Sequence, residues 1–195
     1  VFDGTKESAY SEDDAPNPIN AYGRTKLAGE EAVKAAVANF LILRTSWVYS
    51  PRGNNFLRTM LRLAQERPEL KVVNDQVGAP TSAKAIANMT AQVLETVLEK
   101  KSARETDGIY HFTASDAVSW HGFAKAIFAE AAPRTAGLKT PILTAIPTVQ
   151  YPLPARRPAN SRLDCGKLKA TFGVTPAPWE TMLRECFEEI GKRET

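Results

Sequence analysis

The 195-residue chain is poor in the residues that build metal centres and disulfides. It has two cysteines, Cys165 and Cys186, and two histidines, His111 and His121. The cysteines show no metal-ligand spacing, and the histidines lie too far apart for a helical metal pair. No metal site is expected, both histidines read as structural, and a reduced, cytoplasmic setting is the simplest one for two thiols. No apolar run approaches the ~20 residues that a membrane helix needs. No stretch has the pattern of a signal peptide. A formal net charge of +3 is too small to point to nucleic acid. No glycine-rich G-x-G-x-x-G turn follows a strand, so the usual dinucleotide phosphate cradle is not among these residues. The chain opens on Val1, without an initiator methionine.

What is present is enough for a globular core: 43% of the residues are apolar. Charge is distributed unevenly. Residues 1–20 hold five acids (Asp3, Glu7, Glu12, Asp13, Asp14) against Lys6, and residues 151–171 hold five bases (Arg156, Arg157, Arg162, Lys167, Lys169) against Asp164. A basic tract beside a site suits a phosphorylated ligand, and a solvated face is the other reading.

The most informative stretch is Asn20-Ala21-Tyr22-Gly23-Arg24-Thr25-Lys26-Leu27-Ala28-Gly29-Glu30. On a helix, Tyr22 and Lys26 are four apart and share a face, with Cβ atoms about 6 Å apart. A phenol with an ordinary pKa near ~10 is a weak proton donor at neutral pH, and a neighbouring ammonium stabilises its phenolate. The pair therefore reads as a tuned general acid–base. Asn17-Pro18 and Asn20 give a turn and an N-cap. Gly23 and Gly29 are poor helix formers, which suggests close packing against the backbone.

Elsewhere the pattern alternates strands and helices. Val1–Asp3 reads as a strand running into a turn at Gly4. Phe40–Thr45 is a continuous apolar run expected to be a strand buried on both faces of a parallel sheet. Ligands in such sheets sit beyond the carboxyl ends of the strands, where Thr45–Tyr49 lies. Ser50–Asn55 is turn-rich, with Asn54 as the N-cap of a helix over Phe56–Arg67. Leu70–Asn74 reads as a strand, and Asp75–Thr81 as a loop with turns set by Gly78 and Pro80. A helix is expected from Ser82 to about Lys100, with Ile86, Met89, Val93 and Val97 as its core stripe. A polar connection over 100–107 leads to a strand at Gly108–Thr113 and a helix from Ser119. Trp120 reads as a packing residue. Residues 133–155 read as loop and short strand, with Ile142, Leu143 and Ile146 buried. Helices over Leu163–Phe172 and Pro178–Ile190 close the chain.

The motifs Val1-Phe2-Asp3-Gly4, Pro18-x-Asn20-x-Tyr22-Gly23-x-Thr25-Lys26-Leu27-x-Gly29-Glu30 and Arg44-Thr45-Ser46-Trp47-Val48-Tyr49 continue with Asn54-Asn55-Phe56, Asp75-Gln76-x-Gly78-Ala79-Pro80-Thr81 and Arg157-Pro158-x-Asn160-Ser161-x-Leu163. Together, and in this order, they resemble the extended short-chain dehydrogenase/reductases, and within them the family of dTDP-4-dehydrorhamnose reductases. The resemblance implies an α/β fold: a partial NAD(P)-binding Rossmann-like domain (doubly wound parallel sheet) with a smaller C-terminal substrate-binding subdomain. Residues 1–50 would supply the C-terminal part of the Rossmann-like domain. Residues 51–195 would be mainly the substrate-binding subdomain, with segments returning to the sheet.

The activity implied is reduction of dTDP-4-dehydro-L-rhamnose to dTDP-L-rhamnose with NADPH or NADH, a step of nucleotide-sugar and cell-surface polysaccharide synthesis. Tyr22 and Lys26 would be catalytic and would both bind the cofactor, Lys26 holding the nicotinamide ribose. Trp47, Asn55, Phe56 and Arg157 would contact the dTDP-sugar. The family keeps its glycine-rich half and a catalytic Ser or Thr upstream of Val1-Phe2-Asp3-Gly4, so the chain reads as the C-terminal two-thirds of a reductase, inactive alone. A homodimer fits the family. Some members bind Mg²⁺ at a dimer contact through an acid shortly after Pro-Thr. Here Lys84 stands nearby, so that site is not carried over and a role for Mg²⁺ stays open. The same Tyr-Lys pair serves sugar-nucleotide epimerases and dehydratases, and a regulatory binding subunit of the same fold is a further alternative.

Overall fold

In the computed structural model, residues 1–99, 106–135 and 137–192 are described. The expected connection over 100–107 falls largely outside them. Helix α1 spans Ala21–Ala36, and it is followed by strands β1 (Leu41–Arg44) and β2 (Val48–Tyr49). Next come helix α2 (Phe56–Glu66), strands β3 (Glu69–Val73), β4 (Val77–Gly78) and β5 (Thr81–Ser82), and helix α3 (Ala83–Glu99). Strand β6 (Gly108–His111), strand β7 (Val118–Ser119), helix α4 (Trp120–Ala131) and strand β8 (Ile142–Ile146) follow. A 3₁₀ turn at Thr148–Gln150 and helices α5 (Gly166–Phe172) and α6 (Trp179–Gly191) complete the described chain.

The strands pair across long sequence distances. β1 runs parallel to β6, from Leu41 beside Gly108 to Arg44 beside His111. β3 runs parallel to β8, and β2 to β5. Among the described residues, only the β4–β7 pair is antiparallel. Parallel pairs need crossovers, and here helices supply them. The core is centred on α4, where Phe123, Ala124, Ile127, Phe128 and Ala131 recur at helical spacing and are buried. Around them pack Leu57 and Met60 of α2, Met89 and Val93 of α3, and Trp179, Met182, Leu183 and Phe187 of α6.

Four local expectations are corrected. Residues 1–9 form no strand; Phe2 is buried by stacking on Tyr10, with ring centroids 4.3 Å apart. Their polar groups close a loop instead: Asp3 accepts from Thr5 N–H, the Tyr10 hydroxyl and Asn17. Those donors, led by the Thr5 N–H, hold the Asp3 carboxyl well below the usual carboxylate range. The run Leu41–Leu43 is only half-buried, because β1 has a single strand neighbour among the described residues. Ile142, the first residue of β8, is exposed, whereas Ile146 at the other end is buried. Gly29 has open space beside it, and only Gly23 is closely packed: a Cβ there would lie 2.8 Å from the Pro18 Cβ.

Helix α1 buries little of itself; Gly23 is its one buried residue. What pins it to the sheet is an ion pair. Glu30 receives two hydrogen bonds from Arg44 of β1, Nε to Oε1 at 2.9 Å and NH2 to Oε2 at 2.6 Å. Both side chains are nearly buried, at 7% and 10% exposure. The Arg44 guanidinium also lies 5.3 Å from the Phe2 ring centroid. Removing one partner of a buried pair leaves a charge without compensation and costs about 3–5 kcal/mol. Glu30→Ala should therefore lower the unfolding free energy of the full-length protein by about that amount in urea titration. A Glu30→Leu/Arg44→Met double variant should recover much of it; a double variant no more stable than the single one would place the loss elsewhere.

Candidate active site

The first turn of α1 is built by Asn20. Its Oδ1 accepts from the Gly23 N–H at 2.8 Å, while its backbone stays extended, as an N-cap requires. Tyr22 follows at once and is 72% exposed. The Lys26 ammonium lies 5.4 Å from the Tyr22 ring centroid, and Lys26 forms no ion pair among the described residues. The pair expected from spacing is thus assembled on one open face.

Trp47 sits just beyond the carboxyl end of β1 and has a left-handed backbone, φ 50°. Such a conformation is strained for a bulky residue and is held by its surroundings. Its carbonyl accepts from the Thr81 N–H. A Cβ on Gly78 would lie 2.5 Å from one atom of the indole, so the ring rests directly on that glycine. The other face is stacked on Trp120, at 3.4 Å between centroids and 5° between planes. Both faces of Trp47 are therefore covered by protein, and the indole offers an edge to any ligand. Trp120, expected only to pack, is the other half of this platform.

Phe56 extends the same aromatic array, 4.6 Å from Trp120 and 5.7 Å from Phe123. The cap of α2 is Asn55 rather than Asn54: its Oδ1 accepts from the Arg58 N–H. Its Nδ2 donates to the carbonyls of Ser50 and Arg52, both at 2.9 Å. One residue can both close the preceding loop and cap the helix only where its amide faces both, which spacing could not distinguish. The Asn55 amide is thus engaged within the protein.

Arg156 and Arg157 are exposed on a strap that leaves the Thr148–Gln150 turn. The strap ends where residues 158–164 pass through the centre of the site. There the buried Asn160 donates to the Lys6 and Ser8 carbonyls and accepts from Arg162. Ser161 accepts from the Ser46 hydroxyl, and residues 159–161 bridge to Val77. Asn20 donates to the Arg156 carbonyl at 2.8 Å. Asn20, two residues before Tyr22, and Ser46, next to Trp47, thus both bond to the 156–161 segment, and Phe56 is linked to Trp47 through Trp120. Asn160 was visible in the sequence as part of a motif, but its role as a clamp was not.

The remaining polar groups lie apart. His111 is fully buried, with Nδ1 3.1 Å from the Tyr10 carbonyl, and burial holds its pKa down. Burial pushes the Cys165 thiol up, and Cys186 up to about 12, so both stay protonated. Lys84 lies 3.9 Å from Glu185 on the surface. Among the described residues, no helix is long and apolar enough to cross a membrane, and no cluster of three ligating side chains could hold a metal.

A Rossmann-type α/β fold with an exposed Tyr-x-x-x-Lys face on a helix is that of the extended short-chain dehydrogenase/reductase class. Within that class, the chain belongs to the RmlD substrate binding domain family, whose model matches residues 1–192. It is 49% identical over 193 residues to a dTDP-4-dehydrorhamnose reductase of Burkholderia thailandensis, covering 97% of this chain and 65% of that protein. Two crystal structures superpose with TM-scores of 0.85, each covering 97% of this chain and 62% of theirs. One is a dTDP-4-dehydrorhamnose reductase of Clostridium acetobutylicum, 38% identical. The other is that of Bacillus anthracis in complex with NADP, 36% identical. The chain thus spans slightly less than two thirds of these relatives.

The contact between Gly78 and Trp47 gives a direct test of the platform. Gly78→Ala places a methyl against the indole, and overpacking of this kind costs about 1–3 kcal/mol. The variant should unfold at lower denaturant and lose near-ultraviolet circular dichroism from the stacked indoles. An unchanged spectrum would mean that the stack does not depend on Gly78.

Proposed function

We propose that the full-length protein is an NADPH-dependent reductase that converts dTDP-4-dehydro-L-rhamnose to dTDP-L-rhamnose. The observation that carries this reading is the Tyr22–Lys26 face, exposed and without ion-pair partners among the described residues, beside a strap carrying Arg156 and Arg157. The names of the relatives support it, as does the NADP complex of the Bacillus anthracis protein.

In this reading the Tyr22 hydroxyl donates its proton to the C4 carbonyl oxygen as that oxygen becomes an alkoxide. Lys26 places a positive charge 5.4 Å from the ring centroid, where it stabilises the negative charge left on the phenol oxygen. When bound, NADPH supplies the hydride that reduces C4. The residues present fit its nicotinamide end, since Lys26, without an ion-pair partner among the described residues, can hydrogen-bond a ribose hydroxyl. No glycine-rich turn here fits its pyrophosphate. In this reading Arg157, exposed on the strap, grips the substrate diphosphate as a bidentate donor. The edge of Trp47, with Phe56 and the loop that Asn55 closes, forms the wall of the dTDP-sugar site. Residues 1–50 belong with the cofactor side and 51–195 mainly with the substrate side, β6 returning to pair with β1. The same reading places the enzyme in the cytoplasm, as a homodimer.

Tyr22→Phe keeps the ring and removes the proton. In the full-length protein it should lower kcat by about 10²–10⁴-fold while dTDP binding is retained. Turnover within a few-fold of wild type would remove Tyr22 from this role. The 195-residue chain alone should show no binding of NADPH in fluorescence titration, because one ribose contact does not offset an ordering cost of about 4–15 kcal/mol. Micromolar affinity would reveal a cofactor site that the sequence does not display.

A further inference from the structure

We propose that Asn20 is a positioning residue that locks the arginine strap to the helix carrying the proton donor. This rests on the reductase reading above. Asn20 uses both ends of one side-chain amide. Its Oδ1 accepts from the Gly23 N–H at 2.8 Å and fixes the turn that holds Tyr22. Its Nδ2 donates to the Arg156 carbonyl at 2.8 Å, across 136 residues of sequence. The amide is planar and rigid, so the two bonds set the helix and the strap in one register.

The strap depends on this bond. Its upstream end is anchored by Thr148, whose N–H and hydroxyl both donate to Asp75 and whose hydroxyl accepts from Gln76. Its downstream end is anchored by Pro158 against Gly4 and by the buried Asn160. Residues 151–157 between them are all exposed. Among the described residues, the bond from Asn20 is the one hydrogen bond that holds the strap between Pro152 and Pro158.

The chemistry of a nucleotide sugar explains why such a tie matters. The diphosphate and the reacting sugar carbon are joined through the sugar ring, so their separation varies little. Guanidinium groups that grip the diphosphate must therefore stand at a matching separation from the hydroxyl that protonates the carbonyl. A loose strap would bind the diphosphate in many positions, few of them aligned with Tyr22. Asn20 touches neither end of the substrate and acts through both.

Asn20→Asp separates the two functions, because a carboxylate still caps the helix but has no N–H to donate. Two measurements on the full-length protein decide the matter. The first is the rate of tryptic cleavage between Arg156 and Arg157, with and without dTDP. The second is steady-state kinetics with the 4-dehydro sugar nucleotide. In Asn20→Asp the strap should be cut several-fold faster and dTDP should protect it less. KM should rise by up to about tenfold, the worth of one hydrogen bond, with a smaller change in kcat and an unchanged melting temperature. Asn20→Ala, which also loses the cap, should add a fall in melting temperature. Wild-type cleavage rates and KM in Asn20→Asp overturn the proposal, as does faster cleavage with wild-type KM and dTDP protection. If the wild-type protein reduces no such sugar, the reductase reading falls. Cleavage and dTDP protection then still decide whether Asn20 positions the strap for an anionic ligand.

Discussion

The buried contact between Arg44 and Glu30 governs how helix α1, which carries Tyr22 and Lys26, faces the rest of the protein. α1 has almost no apolar face to bury, so packing alone does not fix its rotation about its axis. Glu30 lies one turn beyond Lys26, and its two bonds to Arg44 tie that turn to β1. The rotation of the helix then follows, and with it the direction in which Tyr22 and Lys26 point. A charged pair performs this task because it is directional, whereas apolar burial is not. Desolvation offsets much of what such a pair contributes to stability; its effect here is on orientation.

At its other end, the helix is held by polar groups as well. Asn20 caps it, Pro18 packs on Gly23, and the 156–164 segment threads between the helix, the N-terminal loop and β4. Asn160 is the centre of that crossing. Its donors and acceptor are all used, so a buried amide costs little here and fixes the loops uniquely. The site is thus a polar lattice laid over an apolar core centred on α4.

The aromatic platform shows how the core and the site are joined. Tyr49 and Trp179 pack on Phe123 within the core, and Phe56 and Trp120 carry the array outward to Trp47. The left-handed backbone at Trp47 is the cost of turning its indole back onto Gly78. A rigid edge results, set by residues from separate segments of the chain.

The sequence by itself determined much of this protein. Helical spacing put Tyr22 beside Lys26, because a helix repeats on one face every three to four residues whatever surrounds it. Alternating apolar runs and turn residues gave the α/β order, and the core stripe of α3 was legible at Met89 and Val93. The basic tract at Arg156 and Arg157 was equally plain. Tertiary structure alone decided that Asn55 rather than Asn54 caps α2, that both faces of Trp47 are covered, and that Val1–Asp3 closes a loop instead of a strand. It alone joined Asn20 to Arg156, Ser46 to Ser161 and Arg44 to Glu30. Local patterns encode helices and strands because those depend on near neighbours. Caps shared with loops, stacked rings and buried ion pairs depend on residues that only the fold brings together.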